Sequence, residues 1–279
     1  MPGFLIITVN FRHAQCTLEF LASASRLQGF ADCHLTIVDN HSEDDSVLRL
    51  RQAISAFPNV ELLASSTNRG YFGAAKWALE QYMANHSHPD WVIVCNNDIV
   101  FESPDFLTRL TANNPQTVGV VAPAVISRLT GLDANPMIAT RPGRLRRLRY
   151  RLLLCNYYVA WMTQWLAPHV RRRRHHWRDQ STSRGTRNAI YAPHGSCFIF
   201  SRTFFDQGGF LDDGCFLYGE ELSVAETCLR IGVPVIHDPS FGVSHNDSQT
   251  TGRMLTRIGY QFQRQGLTYA LSKYFGVWP

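Results

Sequence analysis

Phe4-Leu-Ile-Ile-Thr-Val-Asn10, Cys33-His-Leu-Thr-Ile-Val-Asp39 and Trp91-Val-Ile-Val-Cys-Asn-Asn-Asp98 are three largely apolar runs that each end on Asn or Asp. A strand with one wet face alternates apolar and polar residues, whereas runs like these mark strands covered on both faces. Working outward, Phe4–Val9 reads as the first strand, residues 14–28 as a helix and Cys33–Val38 as the second strand. A helix over 44–56 follows, with Ser42 suited to cap it and Glu43, Asp44 and Asp45 suited to its positive end. Val60–Ala64 is the third strand, Tyr71–Asn85 a helix and Trp91–Cys95 the fourth strand; Pro104 starts another helix and Val118–Ala122 is the fifth strand. This alternation predicts an α/β fold, a mostly parallel sheet with helices on both faces. Ligands of such sheets bind beyond the carboxyl ends of the strands, where Asn10, Asp39, Asn68 and Asp98 stand.

The rhythm breaks at residue 134. Residues 134–178 hold eleven Arg and no Asp or Glu, leaving sixteen basic against twenty-two acidic residues elsewhere. Arg141–Arg151 and Arg171–Arg178 flank the apolar, aromatic stretch Leu152–Leu166. That stretch is too short to span a bilayer and suits its interface; a nucleic-acid patch and a solvated charged helix pair are the alternatives, and no RNA-recognition motif accompanies the charge. Order returns with a strand at Ser196–Ser201, a turn at Gly208-Gly209-Phe210, a helix at Glu220–Ile231 stopped by Gly232, a strand at Pro234–His237 and a helical tail from Thr256. The division is 1–133, an insert at 134–190, 191–255 completing the first domain, and a tail at 256–279.

Composition narrows the class. Aromatics at 12% exclude global disorder. No run of eighteen apolar residues predicts a transmembrane helix, and the first apolar run lacks the preceding basic region of a signal peptide. Seven scattered Cys with no C-x-x-C spacing read as reduced, mostly buried thiols of a cytosolic protein. Twenty-five of the twenty-seven Lys and Arg are Arg, which suits phosphate contacts.

Three constellations carry chemistry. Asp98, just past a buried strand, can hold a divalent ion on a diphosphate, although Asn96-Asn97-Asp98 also suits a plain turn. In Phe216-Leu-Tyr-Gly-Glu-Glu221 the paired acids can supply a general base or merely complement a helix dipole. His245, after a short strand among polar residues, can ligate a metal or be simply structural.

Together and in order, these pieces resemble the family-2, GT-A-fold glycosyltransferases, and within them the bacterial rhamnosyltransferase-like branch. The matching residues are Thr8-Val-Asn10, Val38-Asp39-Asn40, Asn68-Arg-Gly-Tyr-Phe-Gly73, Asn96-Asn-Asp98, Gly195-Ser-Cys-Phe198, Gly208-Gly-Phe210, Phe216-Leu-Tyr-Gly-Glu-Glu221 and His245. The resemblance spans about 4–126 and 190–252. It departs from the family at Asn96, where the metal motif usually has an acid, at Glu221, where Asp is usual, and in the helix after Glu221, which lacks the wider family's second Asp and Arg.

The resemblance implies an inverting transfer from a nucleotide-diphosphate-sugar, of dTDP-rhamnose or UDP-sugar type, to a hydroxyl of a glycan or polyprenyl-diphosphate-linked glycan in cell-surface polysaccharide synthesis. Asp39 would bind the nucleobase, Thr8 and Asn10 would line the nucleotide pocket, Asn68, Arg69 and Gly70 would wall it, and Asn96 and Asn97 would border the diphosphate. Asp98 and His245 would hold Mg2+ or Mn2+. Glu221 would be the base and Glu220 its supporting neighbour. Residues 1–133 then form the nucleotide-sugar half and 191–255 the acceptor and catalytic half. The expected location is cytoplasmic, peripheral at the inner face of the membrane, against anionic lipid and with no nucleic-acid partner. The alternative is a catalytically inactive scaffold of the same fold: Asn96 and the altered helix favour it, and the presence together of Asp98, Glu221 and His245 opposes it.

Overall fold

The computed structural model describes residues 3–163, 186–246 and 256–276. Among them nine strands form one sheet: β1 (Phe4–Asn10), β2 (Cys33–Asp39), β3 (Val60–Ala64), β4 (Trp91–Asn96), β5 (Ile99–Phe101), β6 (Val120–Ser127), β7 (Asn188–Ile190), β8 (Cys197–Ser201) and β9 (Val235–His245). The order is β3-β2-β1-β4-β8-β6-β9-β5, with β7 also on β9. The first four neighbours are parallel, as the βα rhythm requires. β8 runs antiparallel to β4 and β6, because the chain reaches it from the insert and not through a helical crossover. β6 and β9 are parallel, and β5 and β7 pair antiparallel with β9.

The helices are α1 (Ala14–Ala24), α2 (Ser46–Ile54), α3 (Tyr71–Asn85), α4 (Phe106–Leu110), α5 (Arg144–Cys155), α6 (Arg202–Asp206), α7 (Glu220–Ile231) and α8 (Arg257–Phe275). Successive strand residues face opposite sides. Phe4 and Ile6 of β1 therefore join Phe20, Leu50 and Phe106 under α1, α2 and α4, while Leu5 and Ile7 join Phe72, Ala75, Phe204 and Val224 under α3, α6 and α7. Helices cover both faces, as expected. Asp45, not Ser42, stands at the N-cap position of α2, without a side-chain capping bond; the Ser42 hydroxyl instead accepts the Arg12 N–H at 2.8 Å.

A third apolar cluster unites the insert, α7 and α8 through Ile138, Leu154, Leu222, Ala225, Ala270 and Leu271. Polar ties reinforce it. Arg141 donates twice to Glu226, at 2.7 and 2.7 Å, and the Tyr191 hydroxyl donates to the same carboxylate at 2.6 Å. The Tyr260 hydroxyl donates to the Leu154 carbonyl at 2.7 Å. Buried Asp212 accepts from Lys273 at 3.0 Å, Tyr269 at 2.9 Å and Tyr274 at 2.5 Å. Arg171–Arg174 and Trp165 lie outside the described residues.

α8 reaches the 216–219 loop closely at Gly266, where a Cβ would collide with the carbonyls of Leu217 and Tyr218. Gly266→Ala is expected to lower unfolding stability by about 1–3 kcal/mol through overpacking, read by urea denaturation; an unchanged midpoint would show that α8 is not seated through this contact.

Candidate active site

At the carboxyl ends of β1 and β2 the sequence places short polar side chains beside one another, and they close on themselves. Asn10 donates to Asp39 at 2.8 Å, the Asp39 carboxylate also accepts the Ser42 N–H at 2.9 Å, and Thr17 donates to Asn10 at 2.8 Å. Asn97 donates to Thr17 at 2.9 Å, so the turn after β4 is laced to the end of β1. Asn10 and Asp39 are buried within this chain of bonds, and Thr8 sits deeper in β1, wholly enclosed.

The next wall hangs on Asn40. Its side chain donates to Asn68 at 2.9 Å and to the Gly70 carbonyl at 3.1 Å, and accepts the Arg69 N–H at 2.8 Å. Arg69 itself bonds Ser65 and lies over the Trp77 ring. Gly70 adopts φ +71°, and a side chain there would strike the Phe216 carbonyl. The Tyr71 N–H donates to that same carbonyl at 3.0 Å. The 68–71 loop is thereby fastened to the loop that leads into α7.

Asp98 and His245 meet because β5 pairs with β9 in the register Ile99↔His245. His245 Nε2 lies 3.2 Å from Asp98 Oδ1, both residues being buried. Asp98 Oδ1 nevertheless receives no hydrogen bond among the described residues. A buried carboxylate oxygen facing an imidazole nitrogen is a pair of donors that suits a shared cation. Among the described residues no group of three or more His, Cys, Asp or Glu that could hold a metal ion gathers, and this corner brings together the one pair. Asn96 borders the site from β4, its N–H donating to the Ser196 carbonyl at 2.9 Å.

The loop 194–196 connects this pair to the acids of α7. The His194 ring stands edge-on to His245 with centroids 5.7 Å apart. The next residue, Gly195, stands against Glu221: a Cβ there would lie 2.7 Å from Glu221 Oε1, and its backbone N–H favours that carboxylate's charge. Buried Asn135 braces the loop by accepting the His194 N–H at 2.7 Å and donating to the Pro123 carbonyl at 2.7 Å. Asn40, Asn135 and His194 are the contributors that sequence reasoning left without a role; Asn40 stood inside a quoted motif, whereas Asn135 and His194 carry no local signal.

Glu220 and Glu221 open α7, where the helix dipole favours negative charge. Burial opposes that charge. It holds the Glu221 carboxyl above the ordinary range, against N–H donation from Gly195, Gly219 and its own backbone. Glu220 is pushed up by burial and then by the charge of Glu221, and its Oε1 has no partner among the described residues. The arrangement resists ionising both acids together.

The sequence profile of Glycosyl transferase family 2 matches residues 5–209. An N-acetylglucosaminyl-diphospho-decaprenol L-rhamnosyltransferase from Mycobacterium tuberculosis (strain CDC 1551 / Oshkosh) is 25% identical over 261 residues, 89% of this chain and 77% of that protein. The low-salt glycan biosynthesis hexosyltransferase Agl10 of Haloferax volcanii is 24% identical over 225 residues, 81% of this chain and 60% of that protein. Among solved structures, the mannosyltransferase PcManGT from Pyrobaculum calidifontis, in complex with GDP-Man and Mn2+, aligns with a TM-score of 0.58 at 17% identity, over 100% of this chain and 65% of that one. GalNAc-T7 with UDP, GalNAc and Mn2+ aligns with a TM-score of 0.57 at 12% identity, over 88% of this chain and 44% of that one. These structural likenesses bear on the fold.

The Glu220 carboxyl, raised in the folded state, contributes stability that is present below its unfolded value and lost as pH rises through its folded value. Glu220→Gln is therefore expected to raise the thermal midpoint at pH 8, with the gain closing toward pH 4; a gain that grows on acidification would refute the raised assignment.

Proposed function

The chain belongs to glycosyl transferase family 2 and has the GT-A fold, and on that premise we propose that it transfers a sugar from a nucleotide-diphosphate-sugar, of dTDP-rhamnose or UDP-sugar type, to a hydroxyl of a lipid-linked glycan, with inversion at the anomeric carbon. One observation carries the reading: the 194–196 loop joins the Asp98–His245 pair to Glu221. In this reading a corner for the diphosphate and a proton acceptor stand on either side of that loop. The resemblance of 89% of the chain to an enzyme named for a diphospho-decaprenol acceptor supports the acceptor class and, with it, work at a membrane surface.

In this reading the carboxylate of Glu221 takes the proton of the acceptor hydroxyl as it attacks the sugar. Its raised proton affinity suits it to that task, because a general base works best when its own value approaches the working pH. Glu220 stays protonated beside it and limits the negative charge in the cleft. Direct displacement needs no covalent enzyme intermediate. Asp98 and His245 would hold Mg2+ or Mn2+, which would neutralise charge on the departing diphosphate. Asn10 and Asp39 would shape the nucleobase end, where the Asp39 carboxylate has lone pairs left beyond its two internal bonds. Asn68, Arg69, Gly70, Asn96 and Asn97 would form the walls, and Thr8 would support them from below.

Glu221→Gln is expected to reduce turnover by about 10²–10⁴, with donor affinity by calorimetry staying within several-fold of the unaltered protein; near-normal turnover would exclude Glu221 as base and move the assignment to Glu220. Asp98→Ala and His245→Ala are each expected to abolish the metal dependence of nucleotide-sugar binding, and EDTA is expected to mimic them. Equal donor binding with and without EDTA in all three proteins would leave the diphosphate to Arg side chains.

A further inference from the structure

Helix α5 carries an apolar stripe on its outer side. Leu145, Leu148 and Leu152 are 85%, 50% and 59% exposed. At 3.6 residues per turn they fall within an arc of about 60°. Arg144 and Arg149, both exposed, border the stripe on opposite sides. The following stretch, 157–163, continues it with Tyr158, Val159 and Met162, at 63%, 37% and 49% exposed. Single exposed leucines need no explanation, but an aligned set rimmed by one sign of charge does.

The inner side of α5 shows that the stripe is not a stray surface. Leu154 and Tyr150 pack into the cluster shared with α7 and α8. Arg147 and Arg141 both lie over the Phe275 ring, and Arg141 holds Glu226 of α7. Arg257 donates to the Tyr158 hydroxyl at 2.9 Å. The outward direction of the three leucines is therefore set by the body that carries Glu220 and Glu221.

We propose that the outer face of α5, extended by 157–163, docks on an anionic lipid bilayer, with Leu145, Leu148 and Leu152 entering the headgroup–acyl boundary and the arginines meeting lipid phosphates. Residues 134–178 have no acidic side chain to repel such a surface. A second copy of this chain fits poorly, since a two-fold contact would set Arg against Arg. A nucleic acid would use the arginines and leave the leucines without a role. The proposal shares with the proposed function only the membrane-borne acceptor: the fastening to α7 would present the cleft at a fixed angle to the lipid.

The test uses the full chain and two vesicle preparations, phosphatidylcholine alone and phosphatidylcholine mixed equally with phosphatidylglycerol. Co-sedimentation is expected with the mixed vesicles, weakening with salt as charges are screened. The triple variant Leu145→Ser, Leu148→Ser, Leu152→Ser is expected to lose about tenfold or more of that binding, while hydrolysis of a nucleotide-sugar in vesicle-free buffer and the thermal midpoint stay unchanged. Absence of binding by the unaltered chain would overturn the proposal. So would unchanged binding by the leucine variant, which would leave a purely electrostatic or nucleic-acid contact. A dimer that the leucine changes make monomeric, without vesicle binding, would assign the stripe to a second copy and overturn it likewise. Leucine-dependent vesicle binding by a chain that turns over no nucleotide-sugar would uphold the docking face and defeat the proposed transfer alone.

Discussion

Glu221 opens α7 with a carboxylate whose charge its partly buried position opposes, and what surrounds it decides how that charge is kept tolerable. An ionised carboxylate taken out of water must find other donors. Here they are backbone amides of Gly195, Gly219 and Glu221 itself, added to the positive end of α7. Two of those positions favour glycine. At Gly195 a side chain would press on the carboxylate it serves, and Gly219 adopts φ +102°, a left-handed conformation that disfavours other residues. The amides come from two separate loops, so the strand following the insert and the loop preceding α7 must both be in place before Glu221 can carry charge. Glu220 adds a second carboxyl whose proton affinity is raised by burial and by the charge of Glu221, so the pair resists ionising both members together.

What could be read from the chain follows the same physics. β1, β2 and β4 are buried on both faces, so their apolar runs are long and their ends legible to within a residue or so. α3 and α7 match the expected spans, the latter closed by Gly232 in a left-handed cap. β5 and β7 have three residues each, too few to leave a pattern, and their positions come from β9. Strand direction is not written in hydrophobicity, which is why the antiparallel β8 was not foreseen. Within the candidate site, the order of motifs along the chain singled out Asp98, His245, Glu220 and Glu221, and the structure sets Asp98 beside His245 and both acids at the start of α7. The interior chain Asp39–Asn10–Thr17–Asn97 was not, because each member also suits an ordinary turn or helix position and only their convergence shows what they do.

The insert presents the opposite case. Its charge is conspicuous in sequence, yet charge alone says nothing about attachment. The structure attaches it to α7 through Arg141 on Glu226, a carboxylate that the Tyr191 hydroxyl just after the insert also holds. Arg141 is more than half exposed, so solvent screens the Coulombic attraction and the pair contributes little net stability. Its directional value is larger. Glu226 is buried, and leaving it without its bidentate partner would strand a charge in a poorly hydrated place. The native orientation of the insert is therefore favoured over alternatives that break those bonds, even though the bond formed is not a strong source of overall stability.

This distinction bears on how one chain keeps two kinds of surface apart. At the strand ends short polar side chains bond one another, as Asn10, Asp39, Asn40 and Thr17 do. The exposed leucines and arginines of α5 would be a liability near those strands, and they stand instead on a helix packed into the cluster of α7 and α8. Leu222 and Ala225 of α7 then pack with Leu154 of the insert and Ala270 of α8 in one apolar cluster. The helix whose first residues carry the paired acids is thus the same element that buries the insert's inner side, and the orientation of one cannot change without disturbing the packing of the other.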